Sequence, residues 1–306
     1  MKKFISKIVL FFLVPLISML IVLSIYFYRV HKLRIQSNVS TVICGDSHTQ
    51  SALNDNFLHE AINISQQSEH YFYTYNVLKF VLKNNPHLNK VIMGVSFHSF
   101  GTGNDRFVFD NKQAIKMYPK YFPILDNQSL RKIIWGNISG ILNSGVMLSK
   151  YIGLSFLKNY NIQDYPFIGY YYNSPGSSFN DTTIDRAISR HYYMEDNREQ
   201  EISIFQKNYL NKIIDLCINQ NVQLILINTP ISSEYYEKIP DRFIIDYYST
   251  ISQFENKILF WDFYSYPLEQ KSFGDGDHLN YYGAEKFSMK IDSLLIQSTL
   301  LPVDLN

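Results

Sequence analysis

Two short blocks, far apart in the chain, hold the side chains best suited to bond-making chemistry: Gly45-Asp46-Ser47-His48 and Asp275-Gly276-Asp277-His278. A serine hydroxyl is a poor nucleophile until an adjacent base takes its proton. Imidazole suits that task near neutral pH, and a carboxylate fixes its tautomer and stabilises the imidazolium. In Asp275-x-x-His278 the three-residue offset lets one turn place the carboxylate beside Nδ1 while Nε2 faces outward, and Gly274 and Gly276 make such a turn feasible. The two blocks together therefore spell a Ser47–His278–Asp275 catalytic unit. Asp277 is the lesser candidate for orienting His278, because an immediate neighbour reaches its own histidine poorly. Asp46 reads as a cap for the turn after it. His48 and His98 read either as pocket residues or as ordinary histidines.

The elements that must position these blocks follow from the pattern around them. Short apolar runs alternate with helical periodicity, the pattern of a mostly parallel sheet. Strands are expected at Thr41–Cys44, Ala61–Ile64, Lys90–Val95, Val222–Asn228 and Ile258–Trp261. Val-Gln-Leu-Ile-Leu-Ile-Asn at 222–228 is the clearest, a run fit for burial on both faces. Helices are expected with faces Tyr75, Leu78, Val81, Leu82; then Ile202, Phe205, Leu210, Ile213, Ile214, Cys217; then Phe287, Ile291, Leu294, Leu295. The fold class implied is α/β, a three-layer α/β/α sandwich with a five-stranded sheet. If Ser47 opens a helix at a strand end, its own N–H and the helix dipole favour an oxyanion there.

Residues 105–200 break this rhythm. They are rich in aromatic, Asn, Gly and Ser residues, including Tyr170-Tyr171-Tyr172 and Ser174-Pro175-Gly176-Ser177-Ser178. Leu130 to Leu157 reads as one or two helices and the rest as irregular, an insertion of the kind that often serves as a lid or binding region. The tyrosines either pack in the insertion's own core, the favoured reading, or present rings to a sugar. Met93, Trp135 and Trp261 are expected in the core.

Ile8 to Tyr28 carries no charge, and about 20 residues of helix suffice to cross a hydrocarbon core. No small-residue cleavage site follows; Tyr26, Phe27, Tyr28 and Arg29 do, so an uncleaved anchor is favoured over a signal peptide, with Tyr26 and Tyr28 as an interfacial belt. The expected organisation is an anchor and polar neck over 1–34, then one domain over 35–306 carrying the insertion at about 105–200. The expected placement is a single pass in the cytoplasmic membrane through residues 8–28, with the C-terminal domain extracytoplasmic.

Other classes are excluded or disfavoured. A net charge of +1 gives no basic surface for tracking phosphates, so no nucleic-acid partner is expected. Cys44 and Cys217 lie in apolar segments and read as buried thiols. Asp46-x-His48 after a strand also opens metallophosphoesterase sites, but the Gly-Asn-His and Gly-His-x-His blocks those sites need do not occur. No Cys/His cluster has zinc spacing. The sequence thus assigns neither metal nor cofactor.

Val42-Ile43-Cys44-Gly45-Asp46-Ser47-His48-Thr49 and Asp275-Gly276-Asp277-His278-Leu279-Asn280-Tyr281-Tyr282-Gly283-Ala284 resemble the first and last blocks of the SGNH or GDSL-like hydrolase superfamily. The second block is similar to SGNH domains of cell-envelope O-acetyltransferases, and the single anchor resembles DltD-type proteins. The resemblance covers 39–104 and 205–298 loosely. It implies Ser47 as nucleophile, His278 as base and Asp275 as its partner. It also implies action on acyl esters of envelope polysaccharide or another acylated glycan, with a membrane acyl-donor protein as a further partner. Esterase and O-acyltransferase are not separated by these motifs. The family's oxyanion blocks are altered: Asn63-Ile64-Ser65-Gln66-Gln67 has no glycine, and Gly94-Val95-Ser96-Phe97-His98 has serine where asparagine is expected. Ser65, Ser96, Asn104 and His98 are the candidates for donors or pocket residues. The departures leave a second reading from a different class, a non-catalytic glycan-binding or assembly protein on a degenerate scaffold of this kind.

Overall fold

The computed structural model describes residues 2–157, 169–174 and 180–300. Five strands form the sheet: β1 (Thr41–Cys44), β2 (Ala61–Asn63), β3 (Lys90–Gly94), β4 (Gln223–Asn228) and β5 (Leu259–Asp262). Their order is β2-β1-β3-β4-β5, and every pairing is parallel. The helices are α1 (Lys2–His31), α2 (Ser47–Ala52), α3 (Tyr71–Asn84), α4 (Arg106–Phe109), α5 (Ala114–Tyr121), α6 (Asn127–Asn143), α7 (Gly145–Leu157), α8 (Asp181–Tyr192), α9 (Ile204–Asn219), α10 (Ser233–Tyr236), α11 (Asp241–Ile251) and α12 (Tyr281–Leu300). The strands fall where the apolar runs predict them, within a residue at each end.

Alternation of side chains along the strands divides the core into two layers. Val42, Cys44, Val91, Met93, Leu224 and Leu226 point into one cluster, with Leu78 and Val81 of α3, Leu210 and Ile213 of α9, and Phe243 of α11. Ile43, Ile92, Ile225 and Ile227 point into the other, against Ala52 of α2 and Phe287, Ile291 and Leu295 of α12. Both faces are covered, so every strand residue of β1 is buried. The chain leaves β1 for β2 on one side and returns to β3 on the other. The carboxyl ends of β1 and β3 are therefore adjacent at the point where strand order reverses, the place where open α/β sheets form a crevice.

The insertion differs from the sequence reading in being largely helical. Besides α6 and α7, it contains α4, α5 and α8. Helix α8 has a capping box between Asn180 and Thr183 and a buried face of Ile184, Ala187 and Ile188. Short length and Pro119 inside α5 hid that helix from periodicity. Residues 175–178 lie outside the described residues. Tyr171 and Tyr172 are exposed, and Tyr172 stacks on Tyr281 at 4.8 Å and 12° rather than packing in a core of its own. Trp135, expected in the core, is 87% exposed on α6, and Trp261 is half-buried, whereas Met93 is fully buried.

Helix α1 contains a span, Leu10–His31, long and apolar enough to cross a membrane, with a mean hydropathy of 2.6. Its last turns do not make a free polar neck. Tyr26, Val30, Leu33 and Ile35 are buried in the domain core, Phe27 packs edge-on against Phe122 at 5.7 Å, and the Ile35 N–H donates to Asn85 Oδ1 at 2.7 Å. Tyr26 is thus a core residue; Tyr28 is 63% exposed.

Candidate active site

Ser47 is the first residue of α2, at the end of β1. Opening a helix leaves its N–H without an intrahelical acceptor and aims it beyond the strand end. Asp46 caps the helix, its Oδ1 accepting from the His48 N–H at 3.0 Å, and its Oδ2 meets His98 Nε2 at 3.0 Å. The sharp turn needs glycine twice. Gly45 has a φ of +147°, and a Cβ on Gly94, at the end of β3, would come within 1.6 Å of Thr49 Oγ1. Helix α2 therefore seats directly on the end of β3.

The second block is set by Asn280. Its Oδ1 accepts from the N–H groups of Tyr282 and Gly283 at 3.0 and 3.2 Å, and its Nδ2 donates to Lys271 O and Phe273 O. It caps α12 and ties down the loop before it. Asp275 Oδ1 accepts from the His278 N–H at 2.8 Å and lies 3.0 Å from His278 Nδ1. His278 Nε2 lies 2.9 Å from Ser47 Oγ. The geometry brings together the three residues that the motifs single out, although they lie 231 positions apart at the extremes of the contact.

Asp277 also reaches the same imidazole, with Oδ1 3.2 Å from His278 Nδ1. Burial lowers the basicity of His278, but the Asp277 charge, the hydrogen bond to Asp275 and the close Asp277 contact outweigh it and carry its pKa well above the ordinary imidazole range. Burial likewise opposes ionisation of Asp277, and the neighbouring His278 charge overcomes it.

The pocket beside Ser47 has a volume of about 280 Å³ and is lined by Asp46, Ser47, Glu69, His98, Asn104, Arg106, Arg190, His191 and His278 among others. Glu69 is buried, and burial pushes its carboxyl up to about 8. His98 and Asn104 line the pocket; Ser65 and Ser96 are buried outside its lining. Asn104 Nδ2 donates to His98 O and Ser99 O at 2.9 and 3.3 Å, so both amide protons are already used on the backbone. Asn104 in this arrangement shapes the loop rather than offering a donor. The Ser96 N–H bonds to Ser99 Oγ. Asn63, in the altered second block, is structural: its Nδ2 donates to Leu53 O at 2.6 Å.

Around His278 the structure gathers further histidines: His48 and His98, both read as candidate pocket residues, and His191. The ring centroid of His48 lies 4.6 Å from that of His278 and 4.5 Å from that of His98, and His98 stacks on His191 at 4.3 Å and 15°. Burial pulls His48 below the usual imidazole range and His191 well below it. Among the described residues, two groups of three have ligand atoms within 4.8 Å of one another: His48, His98, His191 and His48, Asp277, His278. His191 lies at the end of α8, in a segment read as irregular, and no signal in the sequence pointed to it.

A protein-family model matches residues 156–300, somewhat under half of the chain, and names no activity. No curated protein matches the chain. Among solved structures, the chain is similar to a presumed acylhydrolase from Bacteroides fragilis, with 12% identity and a TM-score of 0.43, covering 90% of this chain and 94% of that one. A likeness at that level places no activity on this chain.

Proposed function

We propose that the chain is a serine acyl-transfer enzyme held to a membrane by α1, acting on O-acyl esters of cell-envelope glycans. The observation that carries the reading is the line from Ser47 Oγ through His278 Nε2 at 2.9 Å to Asp275 Oδ1 at 3.0 Å from Nδ1. That is hydrogen-bond reach for a nucleophile, its base and the base's orienter. Ser47 Oγ attacks the ester carbonyl carbon, and His278 takes the hydroxyl proton. The ester C–O bond then breaks, and His278 returns the proton to the departing sugar oxygen. Water or a second hydroxyl reverses the sequence on the acyl-enzyme, giving hydrolysis or transfer. The Ser47 N–H is the donor best placed for the oxyanion. A pocket of about 280 Å³ supports a short acyl group such as acetyl. The apolar span of α1 supports an anchored protein whose domain over 35–306, insertion included, faces the envelope.

The occupied amide of Asn104 favours one second reading, a binding protein on a catalytically decayed scaffold. One experiment separates the two. Purified full-length chain should hydrolyse a small acetyl ester and be labelled at Ser47 by a fluorophosphonate, with both lost in Ser47→Ala. Absence of labelling, or turnover unchanged by Ser47→Ala, overturns the enzyme reading in favour of the second. Because carboxylates hold His278 protonated beyond the ordinary value of about 6.5, the acid limb of the rate profile should lie on the alkaline side of it.

A further inference from the structure

We infer that His48, His98 and His191 form a binding site for a divalent transition cation of the zinc class, next to Ser47 but separate from its catalytic line. One ligand atom from each of the three lies within 4.8 Å of the others. Only small side-chain shifts separate that spacing from a shared ion at the ~2.0–2.1 Å of a metal–imidazole bond. Imidazole is a ligand that suits zinc, nickel and copper over the hard cations.

A second observation points to a ligand. His48 is 2% exposed, and neither of its ring nitrogens has a hydrogen bond of normal geometry among the described residues. The same holds for both carboxylate oxygens of Asp277, which is 1% exposed. Asp277 Oδ2 sits 3.2 Å from His48 Nε2 and 3.4 Å from His191 Nδ1, near enough to feel them but poorly aligned. Buried polar atoms are expensive without partners, and several of them converging on one point describe a place for a partner.

The surroundings fit a cation. Asp46 and Asp277 bring two carboxylates to the cluster, which lower the cost of a buried cation although Asp277 is shared with His278. Asp46 Oδ2 holds His98 Nε2 at 3.0 Å, and the Tyr235 hydroxyl meets His191 Nδ1 at 2.7 Å. Metal-bound imidazoles use their other nitrogen in this way. His98 and His191 line the pocket, which supplies a route in and an open coordination position. Arg190 and His278 oppose the site: Arg190 Nε lies 3.3 Å from His191 Nε2 and its Nη2 3.9 Å from Asp277 Oδ2, and the His278 ring centroid lies 4.6 Å from that of His48; the Arg190 side chain, 55% exposed, has room to turn outward.

The inference does not rest on acyl transfer, because uptake is read without substrate. Full-length chain in detergent is stripped with a chelator and titrated with Zn²⁺ alone, then with Co²⁺ alone. It should take up one ion per chain with about micromolar affinity or better, and Co²⁺ should give the intense visible bands of a low-coordinate site. His191→Gln, the most accessible of the three, should weaken uptake about 100-fold or more, since even outer-shell changes cost 10–100-fold. His48→Gln should do the same. Ser47→Ala, His278→Asn and His59→Ala at a surface histidine should leave it unchanged. No uptake at micromolar metal overturns the inference, as does uptake indifferent to His191→Gln. Loss of uptake in His278→Asn overturns it too, by placing the ion on His48, Asp277 and His278.

Discussion

The two sides of the His278 ring are built differently. One side is Ser47 and Asp275, both with well-aligned hydrogen bonds, and Asp275 is 36% exposed. The other is Asp277 with His48 and His191, close together but badly aligned, with Asp277 fully enclosed. Two carboxylates two residues apart in sequence thus approach the same nitrogen, at 3.0 and 3.2 Å, under opposite conditions. The contrast shows that proximity to an imidazole does not by itself assign a role. Alignment marks the side arranged for proton transfer, and its absence marks the side that awaits something else.

Breaking the well-aligned side should have the largest effect. Ser47→Ala should lower acetyl-ester turnover by about 10³-fold or more, as loss of a nucleophile does when the rest of the site stays in place. The carboxylates should then separate. Asp275→Asn keeps an acceptor for the His278 N–H but cannot hold an imidazolium, so turnover should fall about 10²–10⁴-fold with a stability change under about 1 kcal/mol. Asp277→Asn removes an enclosed charge that the histidines have been packed around. It should cost about 3 kcal/mol in denaturant unfolding, more than Asp275→Asn. Equal stability losses for the two would erase the distinction between the sides.

Glu69 tests the floor of the same pocket. Its carboxyl is raised to about 8 from an ordinary value of 4.5, so the unfolded chain sheds this proton first. Stability should therefore fall as pH rises from about 4.5 to about 8 and be flat in that respect above it. Glu69→Gln should remove this fall, leaving the variant about 2–4 kcal/mol more stable than the parent at pH 9 and little changed at pH 4. The smallest change sharpens the seating of Ser47. Gly94→Ala should cost about 1–3 kcal/mol by pushing Thr49 off the end of β3, with part of the loss restored by Thr49→Ala.

The sheet was legible because its strands are short apolar runs, buried on both faces in β1, β3 and β4 and half-buried at the edge in β5. The residues of the candidate line were legible because both blocks are contiguous and punctuated by glycines. The histidine cluster was not, since His48, His98 and His191 come from α2, the loop after β3 and the end of α8. Spacing along a chain cannot show a meeting that the fold alone arranges. Trp135 misled for a related reason: a large aromatic ring is a core residue by type, but its position on α6 turns it outward. Asn104 was the right residue type near the right place, yet its amide is engaged by the turn that carries it.

The joint between α1 and the domain has one more consequence. With Tyr26, Val30, Leu33 and Ile35 embedded in the core, the first helix works as a strut and not as a leash. A leash lets an enzyme sample every height within its length; a strut fixes one height and one tilt. On the proposed reading, with this helix in a bilayer, the pocket would sweep a single plane above the lipid. It would meet only those acyl groups that the envelope presents at that elevation. Selection by altitude would then come before any selection by the walls of the pocket.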